Sequence, residues 1–246
     1  MSTELQRYSL NGETMGTRYT ALFYAGAGMD TDELGQQLAR AVARVDQQMS
    51  TWKPESDLNR LNAAPEQEWV SVPKELVTVL SAALRVSRQS GGAFDIAVGD
   101  LVSAWGFGPA ARQVTTQVID SPAPRTRLLA SGALEVEPQR NQVRKRVPLS
   151  LDLSGIAKGF GVDELARCLE GSGITRYLVG IDGEMRARGI GDPRRRNFRH
   201  HAARSHARRR SGIGHRLDRR VDALDPRDMA GAGQRRITVV QPVDVG

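Results

Sequence analysis

The chain has one cysteine, few aromatics and no long apolar run, and each shortage removes a class of protein. Cys168 is the single cysteine among 246 residues, so neither an internal disulfide nor a cysteine metal cluster can form. It falls on a predicted helix after a Gly-rich turn, where a small buried residue is the ordinary reading. No apolar run approaches the roughly 20 residues of a membrane span. The start, MSTELQRYSLNGETMG, lacks the charged-then-apolar plan of a signal peptide. As given, the sequence reads as cytoplasmic, or periplasmic if the true start lies upstream.

Basic charge is also scarce over most of the chain, despite a formal net charge of +7. Residues 186–236 hold 16 Arg and 5 Asp, which leaves 19 basic against 23 acidic groups elsewhere. The stretch GDPRRRNFRHHAARSHARRRSGIGHRLDRR has one aromatic, Phe198, no apolar periodicity and all four histidines, His200, His201, His206 and His215. Their spacing matches no two-histidine helical or finger metal pattern. Lysine is absent after Lys158. Phosphate-binding regions usually mix Lys with Arg and interleave aromatics, so no specific nucleic acid is expected as a partner. An all-Arg bias with Ala, Gly, His and Pro instead resembles the wrong reading frame of a GC-rich gene. The expectation is a frameshift near residue 189 and three segments: a folded domain over 1–188, an out-of-frame or disordered Arg-rich segment over 189–221, and a truncated remnant over 222–246.

Within the first segment the periodicities alternate between strand and helix. TRYTALFY alternates and is β-prone. TDELGQQLARAVARVDQQM offers Thr31 as an N-cap and puts Leu34, Leu38, Ala41 or Val42, Val45 and Met49 on one helical face. VPKELVTVLSAALRVSRQSGG repeats the plan, with Pro73 near the first turn, Leu76, Leu80 and Leu84 on a stripe, and Gly91 and Gly92 as the stop. GALEVE and NQVRKRVPLSLDL predict two strands around a turn at Pro138 to Asn141. A third helix, about Val162 to Leu169, leads to the strand RYLVGI. Without strict βαβ alternation the expected class is α+β, a mixed sheet with helices.

Four islands in this segment carry residues suited to chemistry. Met15 and Gly16, in ETMGTRY, precede a strand; taken alone, Met15 reads as core. MSTWKPESDLNRLN places Trp52 after a helix end in a polar, turn-rich stretch, where it either stacks on a flat ligand or packs as a structural Trp. SGGAFDIAVGDLVSAWGFG follows a helix stop with Ala93, Phe94 and Asp95, either a loop over a ligand or a turn with a capping aspartate. LDLSGIAKGFGVDELARCLEGSG sets Asp152 at the end of the strand VPLSLDL and Lys158 at the start of a helix. Lys158 is followed by Gly159 and Phe160, so the Lys-Ser/Thr pair of a P-loop is missing. Gly159 and Gly161 would let backbone approach a ligand, and the positive end of the following helix favours an anion such as a pyrophosphate.

In order and spacing, these islands resemble the ApbE family of FAD:protein FMN transferases. The resemblance runs from about Glu13 to Arg188 through MGTRY, MSTWKPESDLNRLN, GGAFDIAVGDLVSAWGFG and LDLSGIAKGFGVDELARCLEGSGITRYLVGIDGEMRARG. It implies that Met15, Trp52, Ala93, Phe94 and Asp95 line a site for FAD, which is the substrate. It implies that Asp152 and Lys158 hold polar parts of FAD and are the candidate catalytic residues, and that the backbone carbonyl of Gly155 is one ligand of a Mg²⁺ ion. The implied reaction moves the FMN half of FAD onto a Thr or Ser of an acceptor flavoprotein and releases AMP.

The sequence departs from that pattern in places. Asp182 and Gly183, followed by Glu184, stand where the family has a glycine pair, adding charge near the site. ALDPRDMAGAGQRRITVV resembles the family's D-P-R segment and last strand, but Asp222 occupies the expected histidine position. Asp244 follows that strand too closely to be the family's metal aspartate. An incomplete metal site, weak FAD binding and poor FMN transfer are therefore expected of this chain. The competing readings are a Mg²⁺-dependent FAD pyrophosphatase giving FMN and AMP, a flavin-binding pseudoenzyme, and an Arg-rich nucleic-acid binder.

Overall fold

In the computed structural model, which describes residues 5–108 and 128–189, the alternating stretch TRYTALFY becomes β2 (Thr17–Gly26). Its Tyr19, Ala21, Phe23 and Ala25 share one buried face. β2 pairs along its whole length with β1 (Leu5–Thr14). β1 is too polar and exposed for its alternation to show in the sequence. On the other side β2 pairs with β6 (Tyr177–Ile181), which in turn pairs with β7 (Glu184–Arg188), making an antiparallel sheet of order β1-β2-β6-β7.

Two helices cover that sheet. α1 (Thr31–Met49) and α6 (Ala157–Gly171) bury Leu34, Leu38, Val42, Val162, Leu165 and Leu169 against Phe23, Tyr177 and Val179. The cap of α1 is Asp30 rather than Thr31. A carboxylate oxygen of Asp30 accepts the N–H groups of Asp32 and Glu33, each at 3.0 Å, and its charge also suits the positive helix start.

A smaller sheet of order β3-β5-β4 comprises β3 (Trp69–Ser71), β5 (Gln142–Lys145) and β4 (Leu134–Glu137). It shares a core with α2 (Asp57–Ala63), α3 (Lys74–Gln89) and α5 (Ala130–Ala133), and a short α4 (Gly99–Ala104) follows the 93–96 turn. Leu58, Leu61, Leu76, Leu80, Leu151 and Leu153 form its core, joined by Phe160 of α6. α6 thus contributes to both cores and ties the two halves together. The α+β class expected from the sequence is the one observed.

Several local expectations change. β5 ends at Lys145, so VPLSLDL is irregular rather than a strand. Pro148 has no N–H to offer a ladder, and this stretch is bonded by other means described below. α6 begins at Ala157, five residues before the expected start, and Lys158, Gly159 and Gly161 are all helical. The stretch after Trp52 contains α2, capped by Ser56, whose hydroxyl oxygen accepts the Asn59 N–H at 3.0 Å. The segment after Asp95 contains α4. The expectations made for residues beyond 189, including the frameshift, the four histidines, Asp222 and Asp244, lie outside the described residues.

Candidate functional site

Strand register brings two hairpin tips together. Tyr19 faces Ile181, so the Met15–Gly16 turn and the Asp182–Gly183 turn lie side by side at one end of the four-stranded sheet. The Asp182 N–H donates to the Arg18 carbonyl at 3.3 Å. In each turn the first residue is left-handed, Met15 at φ 48° and Asp182 at φ 56°. For a non-glycine residue that region costs roughly 1–2 kcal/mol, least for Asp and Asn, and such strain collects at functional sites.

The first turns of α6 lie beneath these tips. A Cβ on Gly161 would stand 2.8 Å from Ile181 Cδ1 and 3.3 Å from Met15 Cε. Gly161 therefore makes room for the Met15 and Ile181 side chains. Three residues earlier, Lys158 Nζ donates to Asp182 Oδ2 at 2.9 Å. That hydrogen bond raises the lysine above its ordinary value against the opposing effect of burial, and the charge of Glu184 adds to it. Lys158 is thus an ammonium throughout the neutral range, half-buried and already paired.

Asp152 and the 93–96 turn meet on the other side of α6's start. Asp152 is 6% exposed; its Oδ1 accepts the Ser154 N–H at 2.8 Å, and its own N–H donates to the Ile96 carbonyl at 2.9 Å. The Phe94 ring reaches to 3.2 Å from where a Gly155 Cβ would sit. Ala93 is exposed beside it. Asp95 is engaged by backbone: its carboxylate accepts the Ala130 N–H at 3.0 Å and the Ala97 N–H at 3.4 Å. In this state it acts as the capping aspartate that was the alternative reading.

Trp52 stands apart from these contacts at 64% exposure. The loop that presents it is nonetheless fixed, because Asn59 Nδ2 donates to the carbonyls of Thr51 at 3.0 Å and Lys53 at 2.8 Å. Thr51, Asn59, Asn62, Ser150 and Asp152 line a shared cavity of about 80 Å³. That is well below the ~300–1,000 Å³ of small-molecule sites, so it admits one polar group of a ligand and not a dinucleotide.

The structure thus gathers Met15, Phe94, Asp152, Gly155 and Lys158 around the N-terminal turn of α6, with Trp52 on a neighbouring loop. Sequence reasoning found these residues but not Asn59 and Asn62, which lack any local signal beyond sitting in MSTWKPESDLNRLN. Cys168 is half-buried and burial pushes its thiol up, which makes it an unreactive packing residue. Among the described residues no three His, Cys, Asp or Glu side chains group closely enough to hold a metal. No helix among them is long and apolar enough to cross a membrane.

What the fold defines is an α+β protein in which Met15, Phe94, Asp152, Gly155 and Lys158 meet at the start of α6. The sequence pattern of the ApbE family matches residues 15–239, and the chain belongs to that family. It is 36% identical over 187 residues to a FAD:protein FMN transferase of Vibrio cholerae, covering 75% of this chain and 55% of that relative. The solved flavin transferase ApbE from Vibrio cholerae superimposes with a TM-score of 0.66 at 35% identity, over 75% of this chain and 60% of that one. The apo flavinyl transferase ApbE of Pseudomonas stutzeri does so with a TM-score of 0.67 at 30% identity, over 76% and 62%. The chain spans about half the length of the curated relatives it matches.

Proposed function

We propose that this chain acts as a FAD:protein FMN transferase, moving the FMN half of FAD onto a Thr or Ser hydroxyl of an acceptor flavoprotein. The observation that carries the reading is the convergence of Met15, Phe94, Asp152 and Lys158, from three of the four islands, on the start of α6. The names of the relatives support the same chemistry.

In the proposed reaction the acceptor oxygen bonds to the phosphorus of the FMN half. The bond from that phosphorus to the bridging oxygen breaks, AMP leaves with that oxygen, and the hydroxyl proton passes to solvent. Catalysis of this kind rests on positioning and on offsetting charge at the phosphoryl oxygens. Lys158 supplies a fixed positive charge for that purpose. An incoming phosphate must share it with Asp182 or displace that carboxylate. Asp152, an acceptor when ionised, suits a ring N–H or a ribose hydroxyl. Met15 and the Phe94 ring offer apolar cover for a flat ring, and Trp52 a stacking face.

A Mg²⁺ ion would neutralise phosphoryl charge when bound, with the Gly155 carbonyl as one ligand. Mg²⁺ needs near-octahedral oxygen geometry with carboxylate help. The described residues bring no acidic cluster to Gly155 and so do not fit the ion by themselves.

The test is to incubate the full chain with FAD, Mg²⁺ and an acceptor flavoprotein domain, reading flavin fluorescence of the denatured acceptor band and AMP release. A faint fluorescent band with matching AMP is the expected result, because the described residues do not complete a Mg²⁺ site. AMP released without an acceptor moves the reading to a pyrophosphatase using water. FAD bound without either product moves it to a flavin-binding pseudoenzyme, and no FAD binding overturns it.

A further inference from the structure

We propose that Asn62 is a positioning residue that holds Asp152 in place, an assignment that rests on the transferase reading for its functional consequence. The irregular stretch around Leu151 has no strand partner, yet Leu151 is fully buried and its backbone N–H and C=O must be satisfied. The Asn62 side chain satisfies both. Its Oδ1 accepts the Leu151 N–H at 2.8 Å and its Nδ2 donates to the Leu151 carbonyl at 3.0 Å. One amide thereby imitates the two-way pairing of an antiparallel strand, immediately before the residue whose carboxylate lines the cavity.

Asn62 is itself held. It lies on α2, and the Nζ of buried Lys145 donates to its backbone carbonyl at 2.6 Å. The neighbouring Asn59 on the same helix pins the Trp52 loop. α2 therefore sets two parts of the proposed flavin site at once, Trp52 through Asn59 and Asp152 through Asn62. Among the described residues, loop backbone adds two further bonds to this stretch, Asp152 N–H to the Ile96 carbonyl at 2.9 Å and Gly99 N–H to the Ser150 carbonyl at 3.0 Å. Neither of them bears on Leu151.

The assignment predicts a chain of effects that a merely local role does not. In Asn62→Ala the Leu151 amide loses its acceptor, and Asp152 shifts with it. The Ser154 amide, bonded to Asp152 Oδ1, then exchanges faster as well. Amide hydrogen exchange on the full chain, resolved at Leu151 and Ser154, tests this directly. Faster exchange at both is expected; unchanged exchange at Ser154 overturns the assignment. FAD affinity, read by flavin fluorescence, falls about tenfold in Asn62→Ala. Made on an Asp152→Ala background, the same substitution changes affinity by less than about twofold, because its route is already cut. An equal loss in both backgrounds overturns the positioning role.

Asn62→Asp covers the case in which the alanine variant does not fold. It keeps an acceptor for the Leu151 N–H but removes the donor to the carbonyl, so a partial loss of both protections is expected, and none overturns the proposal. If the unsubstituted chain binds no FAD, the transferase reading falls, while exchange at Leu151 and Ser154 still decides whether Asn62 holds the turn.

Discussion

The two sides of the candidate site are built by different means. On the side of the four-stranded sheet, Met15 and Asp182 sit on two-residue hairpin turns whose positions follow from strand register. On the side of the smaller sheet, Asp152 and Phe94 sit on irregular chain fixed by side-chain-to-backbone bonds and single loop contacts. Regular pairing spreads the constraint over many hydrogen bonds, so one substitution in a strand leaves the tip where it is. The irregular side concentrates its constraint in a few side chains, and each is sensitive. α6 belongs to both, with Phe160 in one core and Leu165 in the other, and its first turn carries Lys158 between them.

The largest expected effect breaks the regular side. Asp163 of α6 and Arg186 of β7 form a buried pair at 2.9 Å, with side chains 5% and 16% exposed. Asp163→Ala leaves the guanidinium with only its longer 3.4 Å contact to Glu170 and should destabilise the fold by about 3–5 kcal/mol in urea denaturation. A loss below about 1 kcal/mol would show that Glu170 alone sustains Arg186.

Next is the joint. In Gly161→Ala the new methyl collides with Ile181 and Met15. Overpacking of about 1–3 kcal/mol opposes a helix-propensity gain of about 1 kcal/mol. A net loss of stability is expected, with weaker FAD binding as the Met15 tip moves. Higher stability with unchanged affinity would remove Met15 from the site.

The charge at the site gives a smaller, opposed pair of effects. Lys158→Ala should lower FAD affinity about tenfold, and Asp182→Asn should raise it about threefold by freeing the ammonium. Lys158 is raised, so its ion pair is fully present below the unfolded lysine value of 10.5 and is lost as pH rises through the higher folded value. FAD affinity should therefore show no Lys158 titration in the neutral range. A lysine-dependent fall near neutrality would contradict the pairing.

The smallest effect is in acid. Burial pushes Glu170 up, but the Tyr177 hydroxyl, Arg186 and Arg188 hold it below its ordinary value. Its contribution is present above the unfolded value of 4.5 and is lost as pH falls through the lower folded one. Glu170→Gln should flatten the acid limb of a Tm-against-pH curve. An unchanged limb would place the acid sensitivity elsewhere.

Much of the regular architecture was legible in local pattern. The apolar stripe of α1, the Pro73 start and Gly91 stop of α3, and the strand RYLVGI follow from side-chain period and backbone restriction. β1 was not, because its outer face is polar along most of its length. VPLSLDL misled because Leu151 and Leu153 are buried in irregular chain, and burial favours apolar residues whether or not a strand forms. α6 was read short, because Gly159 and Gly161 weaken a helix locally, and for Gly161 only packing against Met15 and Ile181 supplies the reason.

By itself the sequence determined the α+β class, through short-range period, and the order of the four islands, through which it resembles the ApbE family. Tertiary structure alone decided which of those residues meet. Lys158 is paired with Asp182, 24 residues away, because β6 ends beside the start of α6. Leu151 is held by Asn62, 89 residues away, because α2 packs on the loop before Asp152. Contacts at such separations arise from how the two cores assemble, and no local pattern encodes them.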